Sequence, residues 1–284
     1  MNAKPVDSKV ILVTGAANGI GAAITRAAID RGHRVLVTDI DEVAAHAAAE
    51  ALGARAAGFG LDVRDGTAWE KAFDAAEREF GTVDVLINNA GIIHTGKARD
   101  LTFEQHREMV EINLLGTMAG VYAGLGRMAR NGRGHLITIC SMSAFLPLAG
   151  YATYGGTKHA IRAFHHSVAL EERANPLDFT IIHPPSTKTR MLEQELLDPT
   201  AATAFAEKPY QPERIAEVVV DAIATKPVEV VFPPIGGRIQ RAAGAFPRFM
   251  RWVMPIVEII GKKQQRRLLA ARHGAKDRQH HGHP

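Results

Sequence analysis

Short β-branched runs alternate along this chain with Ala-rich stretches of helical period, and that alternation restricts the fold more than any other property. "KVILVTG" (9–15) reads as a buried strand, "IGAAITRAAIDRG" (20–32) as a helix ending at Gly32, and "RVLVTD" (34–39) as the next strand. A helix over 41–52, a weaker strand within 54–62 and a helix over 66–80 lead to the strand "VDVLINNAG" (83–91). A long helix over 104–130 precedes the strand "GHLITICS" (134–141), and a helix over 152–174 precedes "FTIIHP" (179–184). A last helix over 212–225 runs into "PVEVVFP" (227–233). Parallel strands cannot be joined by tight turns and need crossovers, so this rhythm predicts a doubly wound α/β fold with helices on both faces of a parallel sheet.

The chain of 284 residues is long enough for one large core, and 46% apolar with 23% charged residues is ordinary globular composition. Composition breaks near Pro233-Pro234, which predicts a body over 1–235 and an extension over 236–284. The net charge of +4 splits unevenly between them. The extension carries eleven Lys/Arg against two acids (Glu258 and Asp277), while the body carries 23 Lys/Arg against 28 acids. A uniformly basic nucleic-acid-binding domain is therefore not expected. The one cysteine, Cys140, excludes an intramolecular disulfide; the start "MNAKPVDSKV" has no apolar signal core, and no run is apolar enough to span a membrane. These features fit a cytoplasmic protein.

"TGAANGIG" (14–21) lies between the first strand and the first helix, where doubly wound folds bind dinucleotides. Gly15 permits the turn, Gly19 lets the backbone approach a pyrophosphate, and Gly21 allows close helix–strand packing, with Asn18 and Ile20 in the same loop. The helix N-terminus offers free N–H groups to phosphate. Asp39 ends the second strand, 18 residues after Gly21, where a carboxylate can accept from an adenosine ribose and would repel a 2′-phosphate. Asn18 stands where an arginine would meet that phosphate, which favours NAD over NADP. The competing reading makes Asp39 a cap for the helix starting near Asp41.

Further on, "GYATYGGTK" (150–158) sets two tyrosines before Lys158. On a helix Tyr154 lies about 6 Å along the axis from Lys158, whereas Tyr151 lies about 10.5 Å away. A phenol titrates near 10, too high for a base at neutral pH, and an ammonium or a positive nicotinamide ring lowers it. Distance selects Tyr154 and leaves Tyr151 as a pocket wall or a packing residue.

With "TGAANGIG", "NNAG" (88–91), Ser141 and "YGGTK" (154–158) in this order, the chain resembles the short-chain dehydrogenase/reductase family over about residues 8–232. The resemblance implies a Rossmann-type sheet of about seven strands and hydride transfer between nicotinamide and an alcohol or ketone. It implies Tyr154 as acid/base, Lys158 as its partner, Ser141 holding the substrate oxygen and Asn113 in a proton relay. Asn89 and Gly91 match positions beside the adenosine, and Asp62 with Val63 match the pair along the adenine. Assembly into a homodimer or homotetramer through the helices near 104–130 and 152–174 is implied as well.

One stretch departs from the pattern. "HPPSTKTRM" places Pro185 where the family has glycine, so the expected nicotinamide contacts of Thr187 and Thr189 rest on a loop with a different path. Thirteen histidines invite a metal reading, but His94 and His183 have no evident acidic partner in the sequence, and one cysteine does not make a zinc ligand set. No metal is expected. Phe145, Leu146 and Leu148 follow Ser141, and a lid over 188–210 with Lys188 and Arg190 is expected, which points to a hydrophobic alcohol or ketone such as a steroid, retinoid or long-chain alcohol. In the extension, apolar residues from Ile239 to Ile260 recur at helical spacing beside basic ones, with Pro247 and Pro255 interrupting. That pattern suits packing on the body, a second subunit or a membrane surface, followed by a disordered end. The alternative class is a non-catalytic dinucleotide sensor or membrane-surface binding protein on the same fold.

Overall fold

The structure, a computed structural model, describes residues 7–280. Among them, seven strands form one sheet in the spatial order β3-β2-β1-β4-β5-β6-β7, every neighbouring pair parallel. The strands are β1 (Val10–Thr14), β2 (Arg34–Asp39), β3 (Ala56–Gly60), β4 (Val85–Asn88), β5 (Gly134–Ile139), β6 (Leu177–His183) and β7 (Glu229–Val231). The chain runs outward from β1 to β3, then returns to β4 on the other side of β1. That reversal opens a crevice at the carboxyl ends of β1 and β4, where open α/β sheets place their ligands.

The helices that cover the sheet are α1 (Gly19–Asp30), α2 (Glu42–Glu50), α3 (Gly66–Phe80), α4 (Phe103–Met109), α5 (Gly116–Arg130), α6 (Ala152–Glu171), α7 (Arg190–Leu197) and α8 (Pro212–Thr225). Side chains alternate across β1 with a period of two. Ile11 and Val13 pack with Ile24 of α1 and Val219 of α8. Val10 and Leu12 pack on the opposite face with Trp69 and Phe73 of α3 and Val121 of α5. A strand buried on both faces must be apolar throughout, which is why β1 has no polar residue before Thr14. Each such side chain contributes about 1.5–3 kcal/mol by leaving water.

Two departures from the sequence reading shape the site. The strands expected over 83–91 and 134–141 stop at Asn88 and Ile139, so Asn89–Gly91 and Ser141 lie in loops at the crevice. The expected long helix over 104–130 is interrupted by a π-helical stretch, Val110–Leu115, between α4 and α5. A π turn displaces the hydrogen-bond ladder locally, and such turns concentrate at functional sites. Asn113 sits inside it.

The extension forms α9 (Pro234–Gly244) and α10 (Pro247–His280). Pro247 opens α10, where a missing N–H costs nothing, and Pro255 lies inside the helix without ending it, contrary to the expected interruptions. Residues 281–284, where the disordered end was expected, fall outside the described residues. Along α10, Gly261 abuts the backbone of Ala202, where an added Cβ would sit 2.0 Å from the carbonyl oxygen. Gln265 is buried and donates to the carbonyls of Glu195, Leu196 and Asp198. These contacts seat α10 on a 3₁₀ segment, Pro199–Phe205.

Candidate active site

A cleft of about 1090 Å³ opens along the carboxyl edge of the sheet. Gly15, Asn18, Gly19, Ile20 and Asp39 line one end, with Asp62 and Val63 beside them. Asn89 and Gly91 line the middle, Ser141, Tyr154, Lys158 and Thr187 line it further on, and Thr189 reaches back to the glycine loop beside Gly19. Gly21 and Asn113 stand behind the wall.

Local geometry explains the glycine loop. Gly15 adopts φ of 60°, and a Cβ on Gly21 would lie 2.2 Å from the Gly15 carbonyl oxygen, so α1 can start this close to β1 only with glycine there. Asn89 holds the loop from the other side, its Nδ2 donating to the carbonyls of Thr14 at 2.9 Å and Gly15 at 3.1 Å. Asn18 occupies the N-cap of α1 without a side-chain cap bond, which leaves the helix's first N–H groups facing the cleft. Asp39 accepts from the Ala17 N–H at 3.1 Å and the Asp41 N–H at 3.3 Å. The capping role weighed for Asp39 belongs to Asp41, whose carboxylate accepts from the Ala44 N–H at 2.9 Å. Asp62 is gripped by Arg64 at 2.6 Å, and that guanidinium holds its carboxyl below the usual range.

Further along the cleft, Tyr154 and Lys158 share a face of α6 and both are buried. Lys158 Nζ lies 5.6 Å from the centre of the Tyr154 ring and 3.4 Å from the Ile139 carbonyl oxygen. Burial pushes the Tyr154 phenol up, the Ser141 hydroxyl draws it back, and burial lowers Lys158. Desolvation thus outweighs the lowering expected from the lysine. A Cβ on Gly91 would lie 3.1 Å from Asn113 Oδ1 and 3.9 Å from Lys158 Nζ, so the backbone of this loop passes close to both side chains. Asn113 pairs with Ile92 through both amide groups, Oδ1 accepting from its N–H at 2.8 Å and Nδ2 donating to its carbonyl at 2.9 Å. Pro185 lines the cleft and accepts from the Thr187 hydroxyl at 2.8 Å, while Thr189 caps α7. Cys140 is buried and its thiol is pushed up to about 11.

Tyr151 is the N-cap of α6, lines the cleft and packs with Ile93, Met109 and Tyr154, so it is both a pocket wall and a packing residue. Its hydroxyl donates to Glu195 at 2.8 Å, and burial pushes the Glu195 carboxyl up to about 7. Several expectations change. Leu146 and Leu148 line the cleft, whereas Phe145 lies under Arg162 and Arg241 and against His183, ring centroids 4.5 Å apart. Arg190 and Lys208 reach the cleft wall, and Lys188 does not. Both histidines thought to lack acids have one: His94 meets Glu108 at 2.8 Å, and His183 Nε2 meets Glu229 at 2.9 Å. Glu229 also meets Arg162, His166 and Arg241, and against the effect of burial its hydrogen bonds with His183 and Arg162 hold its carboxyl well below the usual range. His183 Nδ1 lies 3.0 Å from the Ser141 carbonyl oxygen, which joins this cluster to the catalytic turn. No group of acidic, histidine or cysteine side chains among the described residues is arranged to hold a metal ion.

Sequence reasoning missed Glu195 and the roof of the cleft. Met250, Val253 and Val257 of α10 line it, together with Thr203. Glu195 looked like any acid on an amphipathic helix, and the pairing of α10 with the cleft is a tertiary contact without a local signature.

A family model described as short chain dehydrogenase matches residues 9–199. The chain belongs to the short-chain dehydrogenase/reductase family. Members of this family are oxidoreductases that generally use NAD(P). The chain is 31% identical over 225 residues to the 3-beta-hydroxysteroid dehydrogenase of Comamonas testosteroni, covering 76% of this chain and 88% of that one. It is 35% identical over 185 residues to the 3-alpha-(or 20-beta)-hydroxysteroid dehydrogenase of Mycobacterium tuberculosis, covering 65% and 71%. Identity is 31% over 218 residues to the 3-oxoacyl-[acyl-carrier-protein] reductase FabG of Escherichia coli, covering 77% and 89%. The extension lies beyond the residues matched to the short-chain dehydrogenase/reductase model.

Proposed function

We propose that this chain is an NAD-dependent dehydrogenase/reductase that interconverts an apolar secondary alcohol and its ketone. The convergence of Ser141, Tyr154 and Lys158 on the cleft that also holds the glycine loop and Asp39 carries this reading. NAD supplies the hydride acceptor for oxidation and, reduced, the donor for the reverse direction. The uncapped start of α1 and the close approach at Gly21 suit a pyrophosphate, and Ser186 Oγ, buried in the cleft wall without a partner, gives the nicotinamide side a polar contact beside Thr187 and Thr189. Asp39 receives the adenosine ribose, Asp62 and Val63 flank the adenine, and Asn89 and Gly91 lie along the cofactor.

During oxidation Tyr154 takes the hydroxyl proton and Ser141 steadies the developing oxyanion; reduction runs the same groups backwards. Buried as it is, Tyr154 needs nearby positive charge to become a base, and Lys158 and the oxidised nicotinamide ring supply it. Asn113, held by Ile92 in the π turn, lies on the solvent relay behind Lys158.

The apolar walls at Leu146, Leu148, Met250 and Val257 favour a steroid, retinoid or long-chain substrate, in keeping with the hydroxysteroid relatives. NADH formation over a panel of secondary alcohols tests the proposal. Higher kcat/KM for sugars or small hydroxy acids overturns the substrate class, and no NADH from any alcohol overturns the activity.

Cofactor choice follows from Asp39. NADH is expected to bind at least thirtyfold tighter than NADPH, about 2 kcal/mol of like-charge repulsion. Asp39→Ala should close most of that gap by titration calorimetry, and a wild-type preference for NADPH would refute the argument. Residues 1–235 supply the cofactor site and the reacting groups in this reading, and α10 adds one wall of the substrate pocket. Assembly as a homodimer or homotetramer runs through α5 and α6, where Leu115, Tyr122 and Leu170 are exposed. The extension makes peripheral contact with a membrane.

A further inference from the structure

No described helix is long and apolar enough to cross a bilayer. Nevertheless α10 has two apolar sides. Its inner side, with Met250, Val253 and Val257, roofs the cleft. On the outer side Trp252 is 75% exposed and Ile259 67%, with Ile256 also open to solvent. At 3.6 residues per turn, positions 248, 252, 256, 259, 263 and 267 fall in one stripe about 100° wide. Apolar residues fill the middle of that stripe, and Arg248, Lys263 and Arg267 stand at its two ends, all exposed. Among the described residues none of these three cations forms an ion pair with a carboxylate.

We propose that the outer stripe of α10 docks this protein on an anionic phospholipid surface, with Trp252, Ile256 and Ile259 entering the acyl boundary and Arg248, Lys263 and Arg267 meeting phosphates. Charge decides the partner. A second copy related by a two-fold axis would set this basic stripe against itself, with Glu258 the one acid between residues 236 and 272 to offset it. A nucleic acid would leave the exposed indole and isoleucines uncovered by its phosphates. An anionic bilayer satisfies both parts of the stripe, since basic residues near its surface and apolar ones at its boundary each add to binding. Gly261 and Gln265 fix the helix to the body, so the stripe is held outward while the reverse of the same turns closes the cleft. The cleft roof then lies against lipid, and an apolar alcohol can pass between them without crossing water. This names the partner for the peripheral contact proposed above and rests on that reading.

Sedimentation of the full chain with phosphatidylcholine vesicles, with and without phosphatidylglycerol, tests it. The phosphatidylglycerol vesicles should carry the protein down, less so as salt rises. Trp252 emission should shift to the blue on binding; the other tryptophan, Trp69, is 1% exposed and reports nothing of the surface. Trp252→Ser with Ile256→Ser should lower partition roughly tenfold or more. Lys263→Glu with Arg267→Glu should lower it about fivefold or more per charge. Both variants should keep wild-type kcat on a water-soluble alcohol, which shows that they are folded. Partition is read without substrate, so failure of docking and failure of hydride transfer are separate results. The proposal is overturned by no sedimentation with phosphatidylglycerol vesicles at low salt, or by partition that Trp252→Ser with Ile256→Ser leaves unchanged. It is equally overturned if those substitutions dissociate a dimer, or if the basic stripe retains an oligonucleotide more tightly than vesicles.

Discussion

Tyr154→Phe is expected to lower kcat by about 10³-fold, roughly 4 kcal/mol of transition-state stabilisation, with NADH affinity nearly unchanged. The substitution removes one oxygen from a buried ring whose remaining contacts, including the Lys158 ammonium over its face, do not depend on the hydroxyl. Tyr151→Phe is the matched control, a second phenol whose ring centre is 6.3 Å away. Its hydroxyl serves Glu195, so removal should leave kcat within about tenfold but cost about 1–3 kcal/mol of stability by stripping a buried carboxyl of its donor. That cost should grow above pH 7, where Glu195 begins to ionise. Equal loss of turnover in the two variants would remove Tyr154 from its proposed role.

Acid should begin to destabilise this protein below about pH 6.5, before most of its carboxylates take up protons. Burial lowers His135 to about 4 and His165 to about 3, against an ordinary histidine near 6.5. His165 Nδ1 meets the Thr138 hydroxyl and His135 Nε2 the Thr180 hydroxyl, while the other nitrogen of each ring is buried without a partner. Both rings are thus accommodated as neutral imidazoles. The unfolded chain protonates them near pH 6.5 and the folded protein resists, so their contribution is complete above that pH and is lost as pH falls through 4 and then 3. The two together remove on the order of 5 kcal/mol or more, offset in part by Glu195, whose raised carboxyl is better accommodated as it takes up its proton below pH 7. Urea unfolding measured from pH 8 to 4 should show this decline, and His135→Gln with His165→Gln should flatten it. A wild-type stability that stays level down to pH 4.5 would contradict the assignment.

What the sequence disclosed was local in nature. Gly15, Gly19 and Gly21 follow a strand directly, and Tyr154 and Lys158 sit one helical turn apart, so each motif carries its own geometry. Asp39 was legible because strand ends in such sheets point at the crevice. The π turn at Val110–Leu115 was not, since "EINLLG" keeps an ordinary helical period and the extra residue is absorbed by Asn113 pairing with Ile92. Tyr151 was legible as a wall or packing residue, whereas its bond to Glu195, a partner 44 positions away, was not. Glu229 and Glu195 escaped for a different reason: their partners come from distant segments, and only packing brings them together.

The cluster at Glu229 bears on how this chain can be cut or redesigned. Arg241 belongs to the extension, yet it shares a carboxylate with His183, which reaches the carbonyl of Ser141, and it covers the ring of Phe145, four residues beyond that serine. A truncation at residue 235 would look conservative, because it spares every residue matched to the family. It would also withdraw a cation from beneath the catalytic loop as it strips the roof from the cleft. Grafting a relative's shorter ending onto this body, or this ending onto a relative, therefore requires carrying Glu229, His183 and Phe145 along as one module.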